Sequence, residues 1–176
     1  MIYKNTVVSE KKFYSLNQII MHWLVALLVF YQLANNGDIK KTYQLFLDTG
    51  VWANHLSSKT ILHIITGFII LIAMIFRLTL RLKTRVPSLP LEVPYPLNII
   101  AKLSHFFLYS LLFLMPISGF IGWFLGLRFA IEVHSYSSKI LLTLILIHIC
   151  AAIFHEGVLG NKILQRMVQF KEKPKH

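Results

Sequence analysis

Six of the eight histidines in this 176-residue chain, His22, His63, His105, His134, His148 and His155, sit in or at the ends of long apolar runs. Ionisable groups in such runs are costly to bury and mark functional sites. His134 and His148 are fourteen residues apart. That is close to four helical turns, so both imidazoles share one helix face, about 21 Å apart along the axis. His155, seven residues further on, stays near that face. One helix therefore offers imidazole at two depths. Pairs of neutral imidazoles are the donor set that holds a haem iron from both sides, and the surrounding burial and charge then tune its potential.

Four apolar stretches, each near the roughly 20 residues needed to cross a hydrocarbon core, must position these groups. The predicted helices cover about 16–34, 58–82, 97–125 and 135–156, followed by a basic tail over 157–176. Ser15 and Gln18 have capping-box spacing at the start of the first helix, and Asn35, Asn36, Gly37 and Asp38 end it. Residues 38–58 carry Tyr43, Phe46 and Trp52, which suit a short helix at a membrane interface. The following link holds Pro87, Pro90, Pro94 and Pro96 and is expected to be non-helical. Pro116 is expected to kink the third helix. Gly122 and Gly126 have a spacing that permits close helix approach, and with it a homodimer. A short loop over 127–133 leads to the fourth helix, which Gly157 can end, and residues 162–170 are expected to be amphipathic. The expected fold is all-α, an integral membrane four-helix bundle forming a single domain over residues 1–176.

Composition agrees. Hydrophobic residues make up 56% of the chain and charged residues 14%, with a mean hydropathy of +0.62. The net charge of +11 lies at the ends of apolar runs rather than on a face that tracks phosphates, which argues against a nucleic-acid partner. Thirteen of the eighteen Lys and Arg fall on one side, at the N-terminus, the second connection and the tail, and five on the other. The positive-inside rule then puts both termini in the cytoplasm. The single cysteine, Cys150, reads as a small buried hydrophobe, and with no CxxCH motif any haem is held non-covalently.

With that topology, His63 and His134 share the outer half of the membrane, and His22 and His148 the inner half. Each pair is predicted to ligate one haem. Gly67, one turn after His63, leaves room for a flat ring. Arg77, fourteen residues after His63, lies at the cytoplasmic end of the same stripe, where it is either a propionate partner or a topology anchor. His105 and His155 are surplus candidates: competing inner ligands, propionate partners or a proton relay to a quinone. A histidine-lined metal transporter is the alternative of a different class. Only seven Asp and Glu are present, mostly in loops, to balance a cation.

His22-Trp23, Leu62-His63 with Gly67, Arg77-Leu78, Ser104-His105, Leu114-Met115-Pro116 with Gly119, the His134/His148/His155 spacing and Arg166-Met167 together resemble the bacterial cytochrome b561 family. The resemblance runs from about residue 16 to 167. It implies two haem b groups stacked across the inner membrane, ligated by His22 with His148 and His63 with His134. It also implies electron exchange with the ubiquinone pool. Some members resemble superoxide oxidases, and related subunits are electron conduits docked to hydrogenases and formate dehydrogenases. The chain departs from the family pattern in its short third connection, and in Glu156 where members often have a second histidine. The expected activity is one-electron transfer from a periplasmic donor, superoxide or a redox protein, to quinone, with Lys59, Arg128 and Lys139 as candidates for attracting an anion.

Overall fold

The computed structural model describes residues 13–52, 55–84, 87 and 93–169. The N-terminal lysines, Arg85, Pro90, the tail lysines 171, 173 and 175 and His176 lie outside them. Six helices follow in order: α1 (Leu16–Ala34), α2 (Gly37–Thr49), α3 (Ser58–Lys83), α4 (Tyr95–Leu125), α5 (Arg128–Gly157) and α6 (Ile163–Val168). Four of them, α1, α3, α4 and α5, are long and apolar enough to cross a membrane.

Local chemistry sets the ends. The capping box forms: Gln18 N–H donates to Ser15 Oγ at 3.4 Å and Ser15 N–H to Gln18 Oε1 at 2.9 Å. Ser57 caps α3 in the same way, accepting from Thr60 N–H at 3.2 Å. Pro94 is the N-cap of α4, and Pro96 falls in its first turn, where a missing N–H costs nothing. The two prolines thus open the helix two residues earlier than expected. Helix α4 continues through Pro116.

The largest correction concerns the third connection. No loop spans 127–133: Gly126, at φ 66°, ends α4, and α5 already begins at Arg128. A left-handed residue that only glycine adopts easily reverses the chain almost at once. His134 therefore lies well inside α5 rather than at its start. Gly122 is buried against Ile131 of α5, and a methyl group there would overlap that side chain. Of the two glycines in that spacing, Gly122 is used for packing inside the chain and Gly126 for ending α4.

The closest packing joins α4 to α5 and α1 to α3, with α3 also against α4. A core of Val25, Val29, Ile70, Met74, Leu112 and Leu141 fills the middle of the bundle, and Met74 is fully buried. Outside it the order of a soluble protein is reversed, with Leu27, Ile72, Phe76, Phe106 and Ile153 all more than half exposed, as a lipid-facing surface requires. Cys150 is exposed as well. It sits on this outer surface and not in the core.

Candidate functional site

Along three of the four long helices the inward stripe alternates polar, apolar, polar. On α3 it runs His63, Ile70, Arg77, and on α5 His134, Leu141, His148, in steps of seven residues. On α1 His22 and Gln32 bracket Val25 and Val29. The apolar members meet in the core, so the polar members collect at the two ends of the bundle.

At one end His63 and His134 come together, with ring centroids 6.3 Å apart. Metal–nitrogen bonds of about 2 Å on both sides of an iron require ring centroids roughly 6 Å apart, so the pair fits bis-imidazole ligation. His134 Nδ1 donates to the Met115 carbonyl at 2.7 Å, with Ser118 Oγ 3.4 Å away. That bond fixes the tautomer and leaves the Nε2 lone pair for a metal. His63 Nδ1 is buried without a partner. The two rings border a cleft of about 220 Å³, more than ten times the roughly 10–15 Å³ that one water needs.

Two glycines keep this cleft open. A Cβ on Gly119 would stand 3.0 Å from His134 Nδ1, and one on Gly67 would stand 3.6 Å from Gln32 Nε2. Trp123 lines the cleft and packs tilted, at 4.2 Å and 36°, on Trp52, which stacks at 4.1 Å and 8° on Phe46 of α2. The interfacial aromatics thus dock beside the cleft. Lys40 and Tyr43, also on α2, line it too.

The other end gathers His22, His105, His148 and Arg77. Arg77 Nη2 donates to His22 Nδ1 at 2.6 Å. His105 and His148 meet edge to face at 5.3 Å and 82°, and both lie within electrostatic range of His22. His105 Nδ1 donates to its own helix at the Ala101 carbonyl, 2.7 Å away. Arg77 and Arg81 both stand over the Tyr109 ring, at 5.4 and 5.5 Å. Just outside α1, the Tyr14 phenol is raised above its ordinary value by burial, which outweighs the opposing charges of Arg81 and Arg166.

His155 belongs to neither cluster. It is buried with Asn161, whose Nδ2 lies 3.2 Å from His155 Nδ1, and the Asn161 backbone N–H donates to the His155 carbonyl. Glu156 accepts from Leu164 N–H at 3.0 Å. Both residues fold α6 back toward the bundle, where Trp23 Nε1 donates to the Met167 carbonyl at 2.9 Å.

A sequence profile of the prokaryotic cytochrome b561 family matches residues 14–170. The chain belongs to that family. It is a membrane haem cytochrome, and the family's haem is of the b type, which implies electron transfer. Among its relatives is a protein named cytochrome b562 from Cereibacter sphaeroides (strain ATCC 17023), 26% identical over 156 residues, covering 89% of this chain and 95% of the relative.

Within this family framework, sequence reasoning passed over Gln32, Gly119, Trp123 and Asn161 as site-shaping residues. Gln32 carried a signal, being an amide in the middle of an apolar run. Among the described residues no three His, Cys, Asp or Glu side chains converge on a point, so the metal-transport reading finds no donor cluster there.

Proposed function

We propose that the chain carries two haem b groups, one at each end of the bundle, and transfers single electrons across the bacterial inner membrane from a periplasmic donor to ubiquinone. The observation that carries this reading is the division of the histidines into two end clusters separated by an apolar core. His63 with His134, and His22 with His148, are the residues to hold iron. Haem bound there supplies a one-electron ferric/ferrous couple at each end.

The chain's own residues do the rest. Gly67 and Gly119 leave space for a flat ring, and the Trp123–Trp52–Phe46 stack excludes water beside it. Arg77 is a donor only, and a carboxylate competes for it more strongly than a neutral imidazole does. In the loaded protein its role is to neutralise a carboxylate and release His22 Nδ1. His105 buttresses His148, and His155 clamps the turn into α6.

Superoxide is the donor that best suits the outer end. Lys40 lines the cleft itself, which makes it a stronger candidate for drawing in an anion than Lys59, Arg128 or Lys139. Lys139 lies over the Tyr136 ring at 5.4 Å. The reaction balances as two superoxide ions each losing one electron to become dioxygen, while quinone takes up two electrons and two protons to become quinol.

Reduced-minus-oxidised spectra with haem quantification on detergent-purified protein test the reading. Two b-type haems per chain are expected, with His63→Ala and His22→Ala each losing one, and rapid haem reduction by superoxide in the isolated protein. One haem per chain would show that one histidine pair is wrong. Reduction only when a larger dehydrogenase subunit co-purifies would make the chain a docked conduit.

A further inference from the structure

We propose that Gln32 is the positioning residue for His63: its amide nitrogen holds the backbone of that histidine, and its unpartnered oxygen would accept the ring Nδ1 proton when Nε2 holds iron. The inference rests on the reading of His63 as an axial ligand.

The starting point is an asymmetry between two facing rings. His134 has its Nδ1 proton assigned, because the Met115 carbonyl accepts it at 2.7 Å. His63 has no such acceptor, and its Nδ1 is buried and unpartnered. An imidazole that turns Nε2 to a metal must carry its proton on Nδ1, and metal-bound histidines almost always donate that proton to a carbonyl, carboxylate or water. Something near His63 has to receive it.

Gln32 reaches across from α1 to α3 at this level, and its Nε2 donates to the His63 backbone carbonyl at 2.7 Å. That contact fixes which end of the amide is which, since the reverse orientation would set oxygen against oxygen. The other end, Gln32 Oε1, is buried and has no partner either. Both residues line the same cleft. The two orphans are complementary: an amide oxygen only accepts, and a ligating imidazole must donate through Nδ1. Gly67 sits beside the same arrangement, where a Cβ would stand in ordinary contact with Gln32 Nε2 at 3.6 Å.

The consequence is electronic as well as geometric. A hydrogen bond from Nδ1–H to an acceptor makes the imidazole a stronger donor to iron, which favours the ferric state and lowers the midpoint potential. A merely structural glutamine would not touch the potential.

The test uses purified, haem-loaded Gln32→Leu and Gln32→Glu proteins, read by redox titration of the α-band and by low-temperature EPR of the ferric haems. Leucine is expected to raise the midpoint of one haem and move its g values while leaving the other haem unchanged. Glutamate, a stronger acceptor for the Nδ1 proton that gives up the bond to the His63 carbonyl, is expected to shift the same haem the opposite way. Two unmoved midpoints in the leucine variant overturn the proposal. If leucine abolishes haem binding at that end, the glutamate variant decides. Retention with a lowered midpoint supports the role, and an unchanged midpoint or loss of that haem ends it. His63→Ala separates this failure from the larger one. If it loses one haem while Gln32→Leu shifts nothing, the ligand assignment stands and only the positioning role falls. If it keeps both haems, the assignment and the proposal fall together.

Discussion

At the His63/His134 end the imidazoles face a cleft flanked by stacked aromatics, with neutral acceptors around them. At the His22/His148 end they sit beside Arg77, with Arg81 and Tyr109 close by. The same residue type is set at one end beside neutral groups, with Lys40 on the cleft's lining, and at the other directly against a guanidinium. The difference teaches that ligand identity alone does not give such a bundle a direction for electrons. If both pairs hold haem as proposed, charge and hydrogen bonding around equal ligands would do so, by setting unequal potentials. A guanidinium disfavours the ferric state nearby, so the haem at the His22/His148 end should hold the higher potential and receive electrons from the other.

The sharpest way to break this contrast is to close one end. Gly119→Leu places a side chain where even a Cβ would stand 3.0 Å from His134 Nδ1. We expect loss of the haem at that end and retention of the other, read by haem quantification and EPR. Next in size is Arg77→Gln, which removes a half-buried charge at the opposite end. A unit charge several ångströms away at an effective dielectric of about 20 is worth roughly 2–4 kcal/mol. The midpoint there should fall by a corresponding amount while the other stays, measured by redox titration.

Lys40→Ala probes the entrance of the His63/His134 end. Reduction by superoxide should slow several-fold and lose most of its dependence on ionic strength, followed by stopped-flow at two salt concentrations. Trp23→Phe acts on the α6 strap at the His22/His148 end. Losing the Trp23–Met167 bond should cost about 1 kcal/mol and speed proteolysis within α6, with the haem at the His63/His134 end unchanged.

The smallest effect is expected from pH. Burial raises Tyr14 above its ordinary value of 10.0, so the folded state favours the neutral phenol. Its contribution is fully present below pH 10 and is lost as pH rises through the folded value. Thermal melts above pH 10 should therefore show Tyr14→Phe less destabilised by alkali than the parent protein.

Much of this was legible beforehand. The spans, their apolar filling and the fourteen-residue histidine step are local properties of a helix, and periodicity carries them directly. Boundaries were less legible where one residue decides them. Gly126 reads equally well as part of a glycine stripe or as a helix stop, and only its positive φ shows that α5 begins at Arg128. Cys150 looked buried because a membrane helix is apolar on every face, so hydrophobicity does not say which face points inward.

Sequence by itself thus determined that four helices span, that six histidines lie along them and that these divide by depth, because each of those facts depends on residues within a few turns. Only the tertiary structure decided which groups touch. Gln32 meets His63 from 31 residues away, Arg77 meets His22 from 55, and Trp23 meets Met167 from 144. It also set Gly122 against Ile131. Those choices depend on helix rotation and crossing. In a bundle whose outer faces are as apolar as its core, rotation is set by close packing and by a few buried hydrogen bonds.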